Sequence, residues 1–155
     1  LLPEAMQVTD EQHKSDGFDR GHICGSADRL FTQEANDQTF YFSNMSPMIH
    51  SFNSPYWAEF EEQVRKWGGA EKDFTTTYSK LYVVKGSETD GAYHAIGFRV
   101  EHKEYSKAPT LEELKASALS IDELEEKTGI DFFCNLPDDL ENTVESSMNL
   151  DDWAW

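Results

Sequence analysis

The chain has 155 residues and carries 30 Asp and Glu against 13 Lys and Arg, a formal net charge of −17. Hydrophobic residues make up 38% and aromatics 13%, which excludes a disordered tail; a single domain of this length removes roughly two-thirds of its unfolded surface from water. No apolar run approaches the roughly 20 residues that span a bilayer. So acidic a balance, taken alone, argues against nucleic acid, whose binders usually present a basic face.

In chain order, residues 1–18 are polar and without period. Asp19 to Leu30, with glycine at 21 and 25, reads as a loop or turn. Thr32 to Asp37 fits a short helix. Thr39-Phe40-Tyr41-Phe42-Ser43 is β-prone and ends on Asn44, Ser46 and Pro47, which predicts a strand followed by a turn. The strongest helix signal runs from about Ser54 to Trp67. Asn53 and Ser54 are good N-cap residues, Pro55 suits a first turn, and Trp57, Phe60, Val64 and Trp67 form one apolar stripe. Gly68-Gly69 stops it.

Leu81-Tyr82-Val83-Val84 predicts a buried strand ending at Gly86, and Ala95 to Val100 another. Two capping boxes, Thr110 with Glu113 and Ser120 with Glu123, each open an acidic helix, the second closed by Gly129. Together these elements predict an α+β domain covering residues 1–155. Cys24 and Cys134 are far apart, and a disulfide and two free thiols both fit. No signal peptide is visible, and the chain opens on Leu1 rather than Met, which reads as a trimmed start.

Chemistry concentrates in Asp19-Arg20-Gly21-His22. Histidine titrates nearest neutrality and can take a proton from water. Arginine suits a phosphate through two parallel hydrogen bonds, and glycine lets backbone approach a ligand closely. Downstream, Asn44 lies in Asn44-Met45-Ser46-Pro47, and Asn53 stands where the helix is expected to start. An amide oxygen is a hard ligand suited to Mg²⁺. Glu61 comes eight positions after Asn53 and, at about 100° per residue, roughly 80° round the helix, on the flank of the apolar stripe. Glu62 points toward solvent.

This order of motifs resembles the DNA/RNA non-specific endonucleases, a family that includes secreted bacterial nucleases and mitochondrial endonuclease G. Gly21-His22-Ile23-Cys24, Ala27-Asp28-Arg29, Thr39-Phe40, Trp57, residues 126–133 and Leu136-Pro137 add to the likeness. The resemblance implies a mostly antiparallel sheet flanked by helices, with a ββα-metal (His-Me finger) site. It implies His22 as general base, Asn53 as direct ligand of a divalent ion (Mg²⁺, with Mn²⁺ as substitute), and Arg20 on the phosphate. Asn44 would support the site, Glu61 would anchor metal-bound water, and Asp19 would fix the loop. It further implies cleavage of DNA and RNA to 5′-phosphate ends with little sequence reading, a secreted or periplasmic address, and compatibility with a homodimer.

Two departures stand out. Met48 replaces a glutamine common after the Asn-Met-x-Pro proline. Residues 85–91 pass almost directly to a later strand, so the chain is expected to omit residues around 86–92 and at its N-terminus. Arg20, Arg29, Arg65 and Lys66 are expected to form a basic groove. His13, His50, His94 and His102 are read as surface or packing residues, and Asp138, Asp139, Glu141, Asp151 and Asp152 as solvated acid rather than a calcium site. A non-cleaving nucleic-acid binder and an acidic interaction module are the competing readings; an intact His22 and Asn53 argue against both.

Overall fold

The computed structural model describes residues 3, 8–68, 82–86 and 93–155. Among these, helices alternate with two small antiparallel sheets, an α+β arrangement. The sheet is therefore not one continuous layer. Strand β1 (Asp19–His22) pairs with β2 (Met45–Met48) in a two-stranded ribbon, and β3 (Tyr82–Gly86), β4 (Tyr93–Phe98) and β5 (Ala118–Leu119) form a separate three-stranded sheet. The helices are α1 (Gln33–Gln38), α2 (Ala58–Gly68), α3 (Leu111–Ala116), α4 (Ile121–Thr128) and α5 (Asp138–Glu145). No helix among the described residues is long and apolar enough to cross a membrane.

The predicted helix over Ser54–Trp67 forms with a different start. The chain turns helically at Phe52 in a wide-turn segment to Trp57, and regular α2 begins only at Ala58. Ser54 sits at φ −144°, ψ 123°, because proline pushes its predecessor out of the helical region and offers no N–H of its own. Neither Asn53 nor Ser54 caps the helix as the sequence suggests. The apolar stripe is real: Phe60 is 0% and Val64 3% exposed, with Trp57 and Trp67 buried beside them. Each such side chain contributes about 1.5–3 kcal/mol by leaving water.

Two other expectations change. Asp19–His22 is a strand and not a loop, since its pairing partner lies 23 or more residues away, where local composition carries no signal. Thr39–Ser43 is not a strand. Thr39 caps α1, with its Oγ1 donating to the Asn36 carbonyl at 2.7 Å, and Phe42–Asn44 is one turn of 3-10 helix. Aromatic β-propensity needs a neighbouring strand to pack on, and Phe40 and Tyr41 instead stand exposed. Both capping boxes form, and Gly129 closes α4 at φ +68°, a left-handed conformation that suits glycine. Cys24 is buried and Cys134 exposed, both as free thiols.

Alternation along β4 divides the interior. Ile96 and Phe98 enter the main core with Phe52, Trp57, Phe60, Val64, Trp67 and Trp153, while Ala95 joins a smaller cluster with Ile121, Phe133 and Val144. Gly97, on the same side as Ala95, has the Leu124 side chain where a Cβ would stand. Successive strand residues point to opposite faces. The three-stranded sheet therefore separates α2 and the ribbon's Met48 from α4 and α5. The segment 87–92, where an omission was expected, lies outside the described residues.

Candidate active site

The ribbon presents the chemistry. Asp19 is paired with Met48, Arg20 with Pro47, Gly21 with Ser46 and His22 with Met45. Immediately after β1, Ile23 N donates to the Asn44 carbonyl at 2.8 Å. Asn44 is buried and ties this corner together. Its Oδ1 accepts from Cys24 N at 3.0 Å, and its Nδ2 donates to the carbonyls of Cys24 at 3.0 Å and Thr39 at 2.7 Å. These bonds fix the turn that leaves His22.

Gly21 is required by packing. A Cβ there would lie 2.2 Å from the Met48 sulfur, and Met48 is itself buried in the main core. The glycine thus admits a core side chain instead of a ligand, and the methionine in a position where a glutamine was anticipated has an apolar task.

His22 is partly buried, and its imidazole meets the edge of Phe40 at 5.0 Å between centroids and 84° between planes. Nε2 is buried without a hydrogen-bond partner. Burial holds the imidazole pKa below its ordinary value, so the ring is neutral at physiological pH. An unpartnered buried Nε2 leaves Nδ1 as the nitrogen through which the ring exchanges protons with its surroundings.

Asp19 connects the ribbon to the start of the helical segment. Its Oδ2 accepts from Asn53 Nδ2 at 3.0 Å and lies 2.8 Å from Nδ1 of the exposed His50. Asn53's amide first, and His50 second, hold the Asp19 carboxyl below the usual carboxylate range against the opposing effect of burial. With Nδ2 committed, Asn53 turns its amide oxygen away from Asp19. That is the arrangement a cation ligand needs: a hard neutral oxygen, its orientation fixed by a partner behind it. Sequence reading assigned Asp19 to loop fixation; the structure makes it the residue that orients Asn53. Nothing in the local sequence announces this link across 34 positions.

Glu61 extends from α2 toward the turn after His22. A Cβ on Gly25 would meet Asp28 Oδ2 at 3.1 Å and Glu61 Oε2 at 3.4 Å. Arg65 Nη1 bridges Asp28 at 3.2 Å and approaches Glu61 at 3.9 Å. Burial pushes the Glu61 carboxyl up to about 7; Arg65 lowers it and Asp28 raises it. A hydrogen bond with Trp57 also lowers it. The Asn53 amide oxygen and the Glu61 carboxyl are hard oxygen donors of the type a divalent ion with retained waters takes.

The expected basic groove does not form as a field of free cations. Arg20 is paired with Asp10 at 2.8 Å and lies 5.3 Å from the Phe42 ring, Arg65 is held by Asp28, and Lys66 by Glu62 at 3.0 Å. Arg29 stands 6.0 Å from the Phe31 ring and, with Tyr41, Ser43, Thr39 and Asn44, lines a cavity of about 390 Å³. Of the remaining histidines, His13 faces Asp16, His94 faces Asp152, and His102 accepts from Ile49 N.

The sequence pattern of the DNA/RNA non-specific endonuclease family matches residues 1–87. A mitochondrial nuclease of Schizosaccharomyces pombe is 30% identical over 168 residues, covering 88% of this chain and 52% of that protein. A nuclease of Nostoc is 30% identical, covering 93% of this chain and 61% of that protein, and bovine mitochondrial endonuclease G is 31% identical across 67% of this chain and 34% of its own length. The chain thus spans about half the length of the first of these relatives. The fold matches the crystal structure of an EndoG/EndoGI complex with a TM-score of 0.69 and 18% identity, over 88% of this chain and 67% of that one. The secreted or periplasmic address expected from the resemblance is overturned: the fission yeast and bovine relatives are mitochondrial nucleases, so kinship does not imply export. With the family pattern covering more than half of its length and with relatives matching most of it, the chain belongs to the DNA/RNA non-specific endonuclease family.

Proposed function

We propose that this chain is a Mg²⁺-dependent, sequence-non-specific endonuclease that hydrolyses phosphodiester bonds of DNA and RNA to 5′-phosphate products, with His22 as general base in a His-Me finger site. One observation carries the reading: a neutral imidazole with its Nε2 buried lies on the same short strand as Asp19, whose carboxylate orients Asn53. The order of strand, returning strand and helical segment, with those three residues on them, supports the ββα reading.

In this reading His22 Nδ1 takes the proton from the attacking water, while Nε2 keeps its own in the buried pocket. Asn53 Oδ1 would hold the divalent ion and Glu61 its water. When bound, that ion supplies charge neutralisation at the phosphate and stabilises the leaving oxygen. Asn44 keeps the turn after His22 in place, so the imidazole does not drift from its approach. Arg20 would exchange its exposed Asp10 partner for a phosphate, a swap between two anions at modest cost since an exposed ion pair is weak. Substrate contact through backbone phosphates needs no base reading.

The test is digestion of plasmid and RNA by the wild type and by His22→Ala, each with Mg²⁺ and with EDTA. Cleavage only by the wild type with Mg²⁺, leaving 5′-phosphate ends, is the expected result. Cleavage that survives either the substitution or chelation sinks the mechanism.

A further inference from the structure

On the opposite face of the three-stranded sheet, α4 and α5 bring three carboxylates to one point. Asp122 and Glu125, three positions apart on α4, share a face, and Glu145 is the last residue of α5. One oxygen of each lies within 4.8 Å of the other two. Asp122 is exposed and Glu125 intermediate, but Glu145 is 6% exposed and its Oε1 has no hydrogen-bond partner.

Three adverse effects meet at Glu145. It is removed from water, which disfavours a charge that lacks a partner. The groups acting on it are Glu125, Glu141, Asp122 and Asp131, all acidic. It also stands at the C-terminal end of its helix, where the backbone dipole repels an anion. Glu125 is meanwhile fixed in place, since its Oε1 accepts from Phe132 N at 2.7 Å. The neighbour of Glu145, Val144, belongs to the smaller core cluster with Ala95, Ile121 and Phe133, an apolar setting that gives a carboxylate no partner.

We infer that Asp122, Glu125 and Glu145 form a second divalent-cation site of the Ca²⁺ class, separate from the one at Asn53, that clamps α4 to α5. The ligand chemistry favours Ca²⁺, which accepts several carboxylates in flexible geometry, whereas Mg²⁺ demands a near-ideal octahedron and keeps most of its waters. Three carboxylates also suit the charge of a hard cation, with water completing the shell.

The experiment is thermal unfolding and calorimetric Ca²⁺ titration of the metal-stripped chain, alongside Asp122→Asn, Glu145→Gln and Asn53→Ala. A hundredfold excess of Ca²⁺ over its Kd should raise the wild-type Tm by about 5–10 °C. Asn53→Ala should keep that rise. Asp122→Asn and Glu145→Gln should lose it, and in EDTA both should melt above the wild type, because each removes repulsion that the ion would otherwise offset. Asp122 is exposed, so its variant carries the test if Glu145→Gln does not fold. A wild-type Tm unmoved by Ca²⁺, an equal rise in Asp122→Asn, or a rise lost in Asn53→Ala overturns the assignment.

Discussion

The ribbon-and-α2 region and the α4–α5 region differ in how they handle charge. Residues 1–68 contain eleven Asp and Glu against five Lys and Arg, whereas residues 93–155 contain fifteen against five. In the first region the key acids are individually answered: Asp19 by Asn53 and His50, Asp28 by Arg65, Asp10 by Arg20. In the second, among the described residues, acids gather around Glu145, whose carboxyl is pushed up to about 7 by burial first and by Glu125 and Glu141 next. Most of the net charge therefore lies in the part of the chain that follows β3, with the α4–α5 acids beyond the sheet from the ribbon. A net charge of −17 thus says little about the site, since a protein's total charge governs solubility and long-range fields more than local recognition.

Several substitutions break or sharpen this contrast. The largest effect is expected from His22→Ala, which should lower the cleavage rate by about 10²–10⁴-fold while the Tm barely moves. Because burial lowers the His22 pKa, the wild-type rate should rise with pH along an acid limb centred below the ordinary 6.5. The same shift means that folding stability attributable to His22 is present above 6.5 and is lost as pH falls through its folded-state pKa. An acid limb centred above 6.5 contradicts the buried imidazole.

Next is Asp19→Asn, which should cost about 10–100-fold in rate and raise the Mg²⁺ concentration needed for half-activity. If only stability changed, Asp19 would be a loop fastener and not the residue that orients Asn53. Smaller again is Glu61→Gln. The folded protein holds a proton on Glu61 that the unfolded chain releases between pH 4.5 and about 7, so its contribution to stability is full below 4.5 and is lost as pH rises through 7. The metal-free variant should therefore be of order 1–2 kcal/mol more stable than the wild type at pH 8, with no gain at pH 4.5. Urea unfolding at the two pH values reads this directly. The smallest effect belongs to the far face: neutralising the exposed Glu126 and Asp139 together should change cleavage by less than about threefold at physiological salt, where distant surface charges are screened. A larger change would mean that the acidic helices do reach the substrate.

The sequence by itself determined the apolar stripe of α2, both capping boxes and the closing Gly129, because those signals lie within one turn or two of the residues they organise. Family membership was equally legible in the spacing of Asp19-Arg20-Gly21-His22, Asn44-Met45-Ser46-Pro47, Asn53 and Glu61. Local pattern failed where pairing across the chain decides the outcome. Asp19–His22 became a strand only because Met45–Met48 returned beside it, and Thr39–Ser43 stayed out of a sheet for want of a neighbour. Only the tertiary structure showed that Gly21 makes room for Met48, that Asn53 faces Asp19 instead of capping a helix, and that Glu145 is sealed among acids. Each of these depends on contacts between residues 20 or more positions apart. Such contacts are set by how elements pack in space, and a one-dimensional pattern carries no direct record of that packing.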